Sequence, residues 1–213
     1  AWGFGPSKGL TNGQQIGALK AQIHRPATDV LEIKPAQHQV RKLAAITLDL
    51  SGIAKGYGVD QLASCLDSFG ITRYLVGIDG EMRSRGEKPD GQSWVIAIEK
   101  PLRNIREVMG VMELSDAAIA TSGDYRNWVE YQGTSYSHTI DGTLQEPSSN
   151  RLAAVTVVAT SCMLADAWAT ALLVLGEKAG VDLTQKRGMD ALFVLHDGDD
   201  FLQISITAGQ IAH

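Results

Sequence analysis

Leu152-Ala153-Ala154-Val155-Thr156-Val157-Val158-Ala159-Thr160-Ser161-Cys162-Met163-Leu164-Ala165-Asp166-Ala167-Trp168-Ala169-Thr170-Ala171-Leu172 is the stretch that decides the fold. Residues 152–160 are small and β-branched, the composition of a strand. From 162 to 175 the pattern changes: Met163, Ala165, Ala169, Ala171 and Leu172 give a helix small or apolar surface nearly all round. Such a helix is buried.

Strands are expected on the near side at 74–78, 94–99, 108–114, 128–131 and 135–140, with Gly133 turning the last two. On the far side a short helix near 177–187 leads into a hairpin, 192–196 and 201–206, turned by Asp197-Gly198. Nearer the start, 14–23 reads as a helix and 36–40 as its continuation or a turn. Residues 43–50 alternate as a strand through Ala45, Thr47 and Asp49; Ser51 then caps a helix that runs to about residue 68 and stops at Gly70. Strand runs mixed with a few helices predict an α+β fold: a mixed, largely antiparallel sheet packed with helices. Gly and Pro are scattered and no repeat is visible, which fits one domain over residues 1–213.

Apolar residues make up 44% of the chain, ample for a core. Lys and Arg total 19 against 24 Asp and Glu, and no basic cluster is available to follow a phosphate backbone, so nucleic acid is not an expected partner. The longest apolar run, 152–159, is far shorter than the roughly 20 residues of a membrane-spanning helix, and no transmembrane segment is expected in this chain. Cys65 and Cys162 match no zinc motif and no disulfide framework; they read as two buried free thiols. The opening Ala1-Trp2-Gly3-Phe4-Gly5 has neither an initiator Met nor a basic and apolar leader, so an upstream segment is expected to be missing.

Three segments carry chemistry. Asp166 and Thr170 stand four apart on the expected helix, one turn apart on one face, where they can meet one ion. A buried carboxylate and hydroxyl suit a hard, oxygen-seeking cation such as Mg²⁺; spacing alone equally allows Asp166 to accept backbone hydrogen bonds and Thr170 to bond back one turn. In Asp49-Leu50-Ser51-Gly52-Ile53-Ala54-Lys55-Gly56-Tyr57-Gly58, a strand passing into a helix offers free N–H groups to a pyrophosphate, with Lys55 as a mobile positive charge. An ordinary capped helix is the alternative. In Ala120-Thr121-Ser122-Gly123-Asp124-Tyr125, Thr121 and Ser122 are expected in a polar loop facing a ligand, or in a simple turn, with His138 downstream as a general base. A Ser122, His138, Asp141 triad lacks the nucleophile-elbow pattern.

Together with Trp2-Gly3-Phe4-Gly5 and His138 to Asp141, these motifs occur in the order that resembles the ApbE family of FAD:protein FMN transferases, from Trp2 to the final hairpin. The resemblance implies an ApbE-like, T-fold-related core with FAD laid across it and Mg²⁺ bridging the FAD pyrophosphate to the protein. By that analogy Asp166 and Thr170 give side-chain oxygens to the metal and Ala54 a backbone carbonyl. Trp2, Gly3, Phe4, Ser51, Tyr57 and Ile140 would contact FAD, His138 would take the proton of the acceptor threonine, and Lys55 would assist electrostatically. The implied reaction is Mg²⁺-dependent transfer of FMN from FAD to a threonine of an acceptor flavoprotein, a subunit of a respiratory or redox complex, with release of AMP. The implied compartment is the periplasm, with the full-length protein lipid-anchored at the inner membrane. Water in place of threonine would give an FAD pyrophosphatase; a decayed site would give a non-catalytic FAD-binding protein. The chain departs from the family pattern at Gly142-Thr143-Leu144-Gln145, where Pro-x-Thr-Gly is usual, and at Asp79-Gly80, where two glycines are usual.

Overall fold

The computed structural model describes residues 1–4, 12–22 and 25–212; Gly5 of the first motif lies outside them. Helices α1 (Gly13–Lys20), α2 (Ala27–Val30), α3 (Ser51–Ser68) and α4 (Cys162–Arg187) are interspersed with strands. In chain order these are β1 (Leu31–Lys34), β2 (Gln39–Lys42), β3 (Tyr74–Ile78), β4 (Glu81–Arg85), β5 (Trp94–Glu99), β6 (Val108–Leu114), β7 (Ala118–Gly123) and β8 (Trp128–Tyr131). They continue as β9 (Thr134–Ser137), β10 (Ile140–Asp141), β11 (Glu146–Pro147), β12 (Leu152–Ala159), β13 (Asp190–Asp197), β14 (Asp200–Thr207) and β15 (Gln210–Ile211). The fold is α+β, as expected.

A 7-stranded antiparallel sheet runs in the order β15-β14-β13-β12-β7-β4-β3. Its two faces are told apart by alternate residues of one strand. Val155 and Val157 of β12 pack with Ala169, Leu172 and Leu173 of α4, whereas Val158 packs with Ile96, Ile98 and Leu114 of the β5–β6 ribbon. The sheet is therefore covered by α4 on one side and by the ribbon on the other, with α3 beside α4. Val155, Val157, Leu172 and Phe193 are fully buried, each contributing about 1.5–3 kcal/mol of burial.

The chain leaves and re-enters the sheet at one end, because β12 ends at Ala159 and Asp190 of β13 pairs with Val158. One straight helix between them would end far away, since 26 residues span about 39 Å. Gly176 solves this with φ 80° and ψ 175°, a conformation open to glycine that breaks α4 into the two expected helical pieces. Asn150 holds the break, its Nδ2 donating to the Leu173 carbonyl at 2.7 Å.

The N-terminus of α4 is held from α3. Asp60 accepts from Cys162 N–H and Met163 N–H, both at 3.0 Å, while Ser161 accepts from Leu164 N–H at 3.3 Å. Arg83 on β4 donates to the same Asp60 at 2.6 Å, so sheet and both helices meet at one carboxylate.

Several expectations are corrected. Residues 43–50 form no strand; they are mostly exposed and no neighbouring strand pairs with them, whereas the preceding 39–42 pair with β1. Of the two readings of segment 36–40 the turn holds and the continued helix does not: Pro35–Gln37 is a 3-10 turn closed by His38 at φ 51° and leading into β2. Ser51 does not occupy the cap: Leu50 does, and Asp49 supplies the acceptor. Cys65 is exposed; only Cys162 is buried, where desolvation pushes its thiol up to about 12. The segment expected as a Thr-Ser-Gly loop is β7, paired on both sides by β12 and β4. Gly123 there answers to packing rather than turning, since a Cβ would stand 2.8 Å from Tyr125 Cδ1. Strand β4 went unread because its sequence is Glu-Met-Arg-Ser-Arg; its signal was the Asp79-Gly80 turn, with both residues at positive φ, that joins it to β3.

Candidate active site

Asp49 ends its segment with a carboxylate that accepts Ser51 N–H at 2.8 Å and Ser51 Oγ–H at 2.6 Å, and these bonds hold its pKa below the usual carboxylate value. Ile53 and Ala54 N–H both donate to the Leu50 carbonyl, which leaves Gly52 N–H without a partner among the described residues. The start of α3 thus presents a free N–H at the positive end of a helix.

Helix α4 crosses at this point, and the crossing rests on two glycines four residues apart. A Cβ on Gly52 would lie 3.3 Å from Thr170 Oγ1, and one on Gly56 would lie 2.8 Å from Asp166 Cβ. The i, i+4 spacing of Gly52 and Gly56 therefore matches that of Thr170 and Asp166. Gly56 N–H donates to Asp166 Oδ2 at 3.0 Å; Oδ1 has no hydrogen-bond partner among the described residues, although Asp166 is only 3% exposed. Thr170 Oγ1 and Ser122 Oγ share a hydrogen bond of 2.8 Å, which sets β7 beside the pair.

These groups floor a cleft of ≈ 930 Å³ that opens between α3, β7, the β3–β4 turn, β5 and the 126–140 segment. Lys55 reaches into it and donates to Glu81 Oε1 at 2.7 Å. Glu81 is 2% exposed and its Oε2 is buried without a hydrogen-bond partner among the described residues. Burial raises its pKa; Lys55 pulls it back and Asp166 adds to the rise. His138 lines the cleft mouth, where desolvation by the walls lowers its pKa, the Asn127 carbonyl opposes that, and the Lys55 charge adds to it. The residue as a whole remains exposed. At neutral pH it is an uncharged imidazole, the form a general base needs.

The structure sorts the expected residues. Asp166, Thr170, Ser51, Lys55, Thr121, Ser122, His138 and Ile140 all line the cleft. Thr121 points to the ribbon side, bonded to Thr156 Oγ1 at 2.8 Å, so only Ser122 of that pair touches Thr170. Ala54 and Tyr57 do not line it; both are exposed on α3, Tyr57 by 53%, and the α3 residue packed on Thr170 is Gly52. Phe4 meets His138 edge to face at 6.4 Å between ring centres. Trp2 packs on Tyr131 and Tyr136, and its Nε1–H donates to the Gln145 carbonyl at 3.2 Å. Gly3 between them is buried, at φ 85°. The departing loop is thus the Trp2 dock: Asp141 Oδ1 caps it through Thr143 N–H and Leu144 N–H. Asp79 stands exposed on the cleft rim. Gly52, Gly56, Glu81 and Asp60 were missed as members or supports of the site. Only the first two had a visible signal, their spacing.

Residues 1–193 match the ApbE family. The chain belongs to that family. A protein of Vibrio cholerae serotype O1 named FAD:protein FMN transferase is 41% identical over 204 residues, covering 94% of this chain and 60% of its own length. The protein of that name from Escherichia coli K12 is 35% identical over 203 residues, covering 94% and 58%. The solved flavin transferase ApbE from Vibrio cholerae superposes with a TM-score of 0.80 at 38% identity, over 98% of this chain and 66% of that one. This ApbE chain therefore spans about 60% of the length of the curated relatives it matches. No helix among its described residues is long and apolar enough to cross a membrane. Among the described residues no cluster of three or more His, Cys, Asp or Glu side chains is placed to hold a metal ion.

Proposed function

We propose that the cleft binds FAD with Mg²⁺ and transfers its FMN to a threonine hydroxyl of an acceptor protein, releasing AMP. The observation that carries this reading is the convergence of Asp166, Thr170 and Ser122 oxygens on the first turns of α3. Relatives named for that reaction support it.

The donor set fits Mg²⁺: all oxygen, with Asp166 Oδ1 unbonded among the described residues and deep in the cleft. Asp166 and Thr170 would hold the ion, which supplies positive charge for the diphosphate. Ala54, implied as a third ligand, lies outside the cleft lining. The Gly52 N–H and the Lys55 ammonium would hold the diphosphate oxygens. His138, neutral, takes the proton of the threonine hydroxyl as its oxygen attacks the FMN phosphorus. The bond from that phosphorus to the bridging oxygen breaks, and AMP leaves with the electron pair. Placement and charge do most of this work, since phosphoryl transfer asks little covalent chemistry of the protein.

The acceptor, on the same reading, is a flavoprotein subunit of a respiratory or redox complex, and the compartment is the periplasm with a lipid anchor; the family resemblance supports both. The test mixes the protein with FAD, Mg²⁺ and an acceptor domain carrying a threonine target, then denatures. Flavin fluorescence that stays with the acceptor supports transfer. Free FMN and AMP with no labelled acceptor would establish hydrolysis instead, and bound FAD without turnover a binding protein.

A further inference from the structure

Glu81 is the one buried side chain among the described residues with a polar atom that nothing satisfies. It opens β4 directly after the Asp79-Gly80 turn and lies under Lys55, on the sheet face that also carries Arg83 toward α3. Carboxylates kept for structure are normally satisfied on both oxygens, as Asp60 is here by two N–H groups and Arg83. Among the described residues Glu81 is bonded on one oxygen only, and a buried ion pair is weak support for a fold that Gln or Met would pack as well. Its side-chain partner among the described residues, Lys55, is 40% exposed and ends in a flexible point charge. Untied, that ammonium would spend its time in water, and ordering it would weaken any anion it met.

We infer that Glu81 is a positioning residue, whose carboxylate holds the Lys55 ammonium inside the cleft so that it meets a diphosphate rather than bulk solvent. The inference rests on the cleft being a diphosphate site. It assigns Glu81 no contact with the ligand: the residue acts through Lys55. Removing a carboxylate beside an anion site should, by charge alone, strengthen anion binding. Positioning demands the opposite sign.

A double-mutant cycle read by calorimetric titration of ADP with Mg²⁺ tests this. Lys55→Met should weaken ADP about tenfold, the loss of one charge-assisted hydrogen bond. Glu81→Gln should weaken ADP several-fold in the parent, yet leave affinity unchanged or tightened when Lys55 is already Met. Glu81→Asp keeps the charge but shortens the reach, and should also weaken ADP. The inference is overturned if Glu81→Gln tightens ADP in the parent, if it weakens ADP equally in both backgrounds, or if it melts far below the parent. Absence of ADP binding by the parent overturns it too. A parent that completes the cycle as stated but labels no acceptor loses the transfer reading alone. A parent that labels acceptor while the cycle is flat loses the positioning role alone.

Discussion

Gly56 and Asp166 are joined across the crossing of α3 and α4, the glycine N–H donating to Asp166 Oδ2 at 3.0 Å with no room for a Cβ between them. A main-chain N–H thus orients the carboxylate, and its other oxygen has no hydrogen-bond partner among the described residues.

Asp166→Asn should abolish Mg²⁺-dependent FAD binding and transfer while the unfolding midpoint stays level or rises. The Asn carbonyl can still accept from Gly56, and the cost of a buried charge is gone. Asp166→Ala leaves Gly56 without that acceptor and should lose about 1–3 kcal/mol. Thr170→Val should act like Asn but more mildly. Thermal melts beside Mg²⁺ titration with FAD present decide it; an Asn variant that binds metal normally and melts far lower would make Asp166 a core hydrogen-bonding residue.

The two crossing glycines should separate fold from site. A Cβ at Gly56 would stand 2.6 Å from the Cys162 carbonyl carbon, backbone that cannot rotate away, so Gly56→Ala should cost about 1–3 kcal/mol or more. At Gly52 the nearest atoms are Thr170 Cγ2 and Oγ1, at 3.3 Å, which a small side-chain shift can relieve. Gly52→Ala should therefore fold with a nearly unchanged midpoint and lose FAD or Mg²⁺ affinity. Equal melting losses in the two variants would mean that the crossing yields as one unit.

His138→Ala should lower transfer by about 10² to 10⁴ while FAD affinity stays within about threefold, the pattern of a lost base. Since burial holds the imidazole below its usual 6.5, the acid limb of the rate should have its midpoint below that value. The sign for stability agrees. Between the depressed value and 6.5 the unfolded chain binds the extra proton, so the contribution of neutral His138 is full above 6.5 and is lost as pH falls through the depressed value. Melts of parent and His138→Ala across that window measure it. Rate and FAD affinity falling together would make His138 a cofactor contact.

The strand–helix pair at 152–175 was legible because burial leaves a direct mark: one run of β-branched residues, then one of small residues at helical spacing. Asp166 and Thr170 were legible for the same reason, polar groups conspicuous on an apolar helix. Residues 43–50 misled because alternation records which side of a strand would be buried and says nothing of whether a partner strand exists. Thr121 and Ser122 misled because a strand ending in Thr-Ser-Gly looks like a turn, and only pairing with β12 shows that the two side chains leave on opposite faces. Glu81 was illegible: its role depends on a lysine 26 residues away, brought over it by the packing of α3 on β4.

Asp60 supports the site without touching it, and its removal should show how much of the geometry hangs on one cap. Its oxygens take the Cys162 and Met163 N–H groups at 3.0 Å and Arg83 at 2.6 Å, so it fixes where α4 begins, and Asp166 follows one turn later. Asp60→Ala removes a cap worth about 0.5–2 kcal/mol and leaves Arg83, 30% exposed, without its counter-ion. The expected loss is about 2–3 kcal/mol, kept down because Ser161 still caps Leu164. Asp60→Asn retains one acceptor and should lose roughly half as much. Below the midpoint both variants should still bind FAD, with a modest fall in affinity, because the fault lies in the anchoring of α4 and not in its ligating atoms. Denaturant melts with FAD titration at 25 °C provide the check. A well-folded Asp60→Ala that binds no FAD would move Asp60 from scaffold into the site itself.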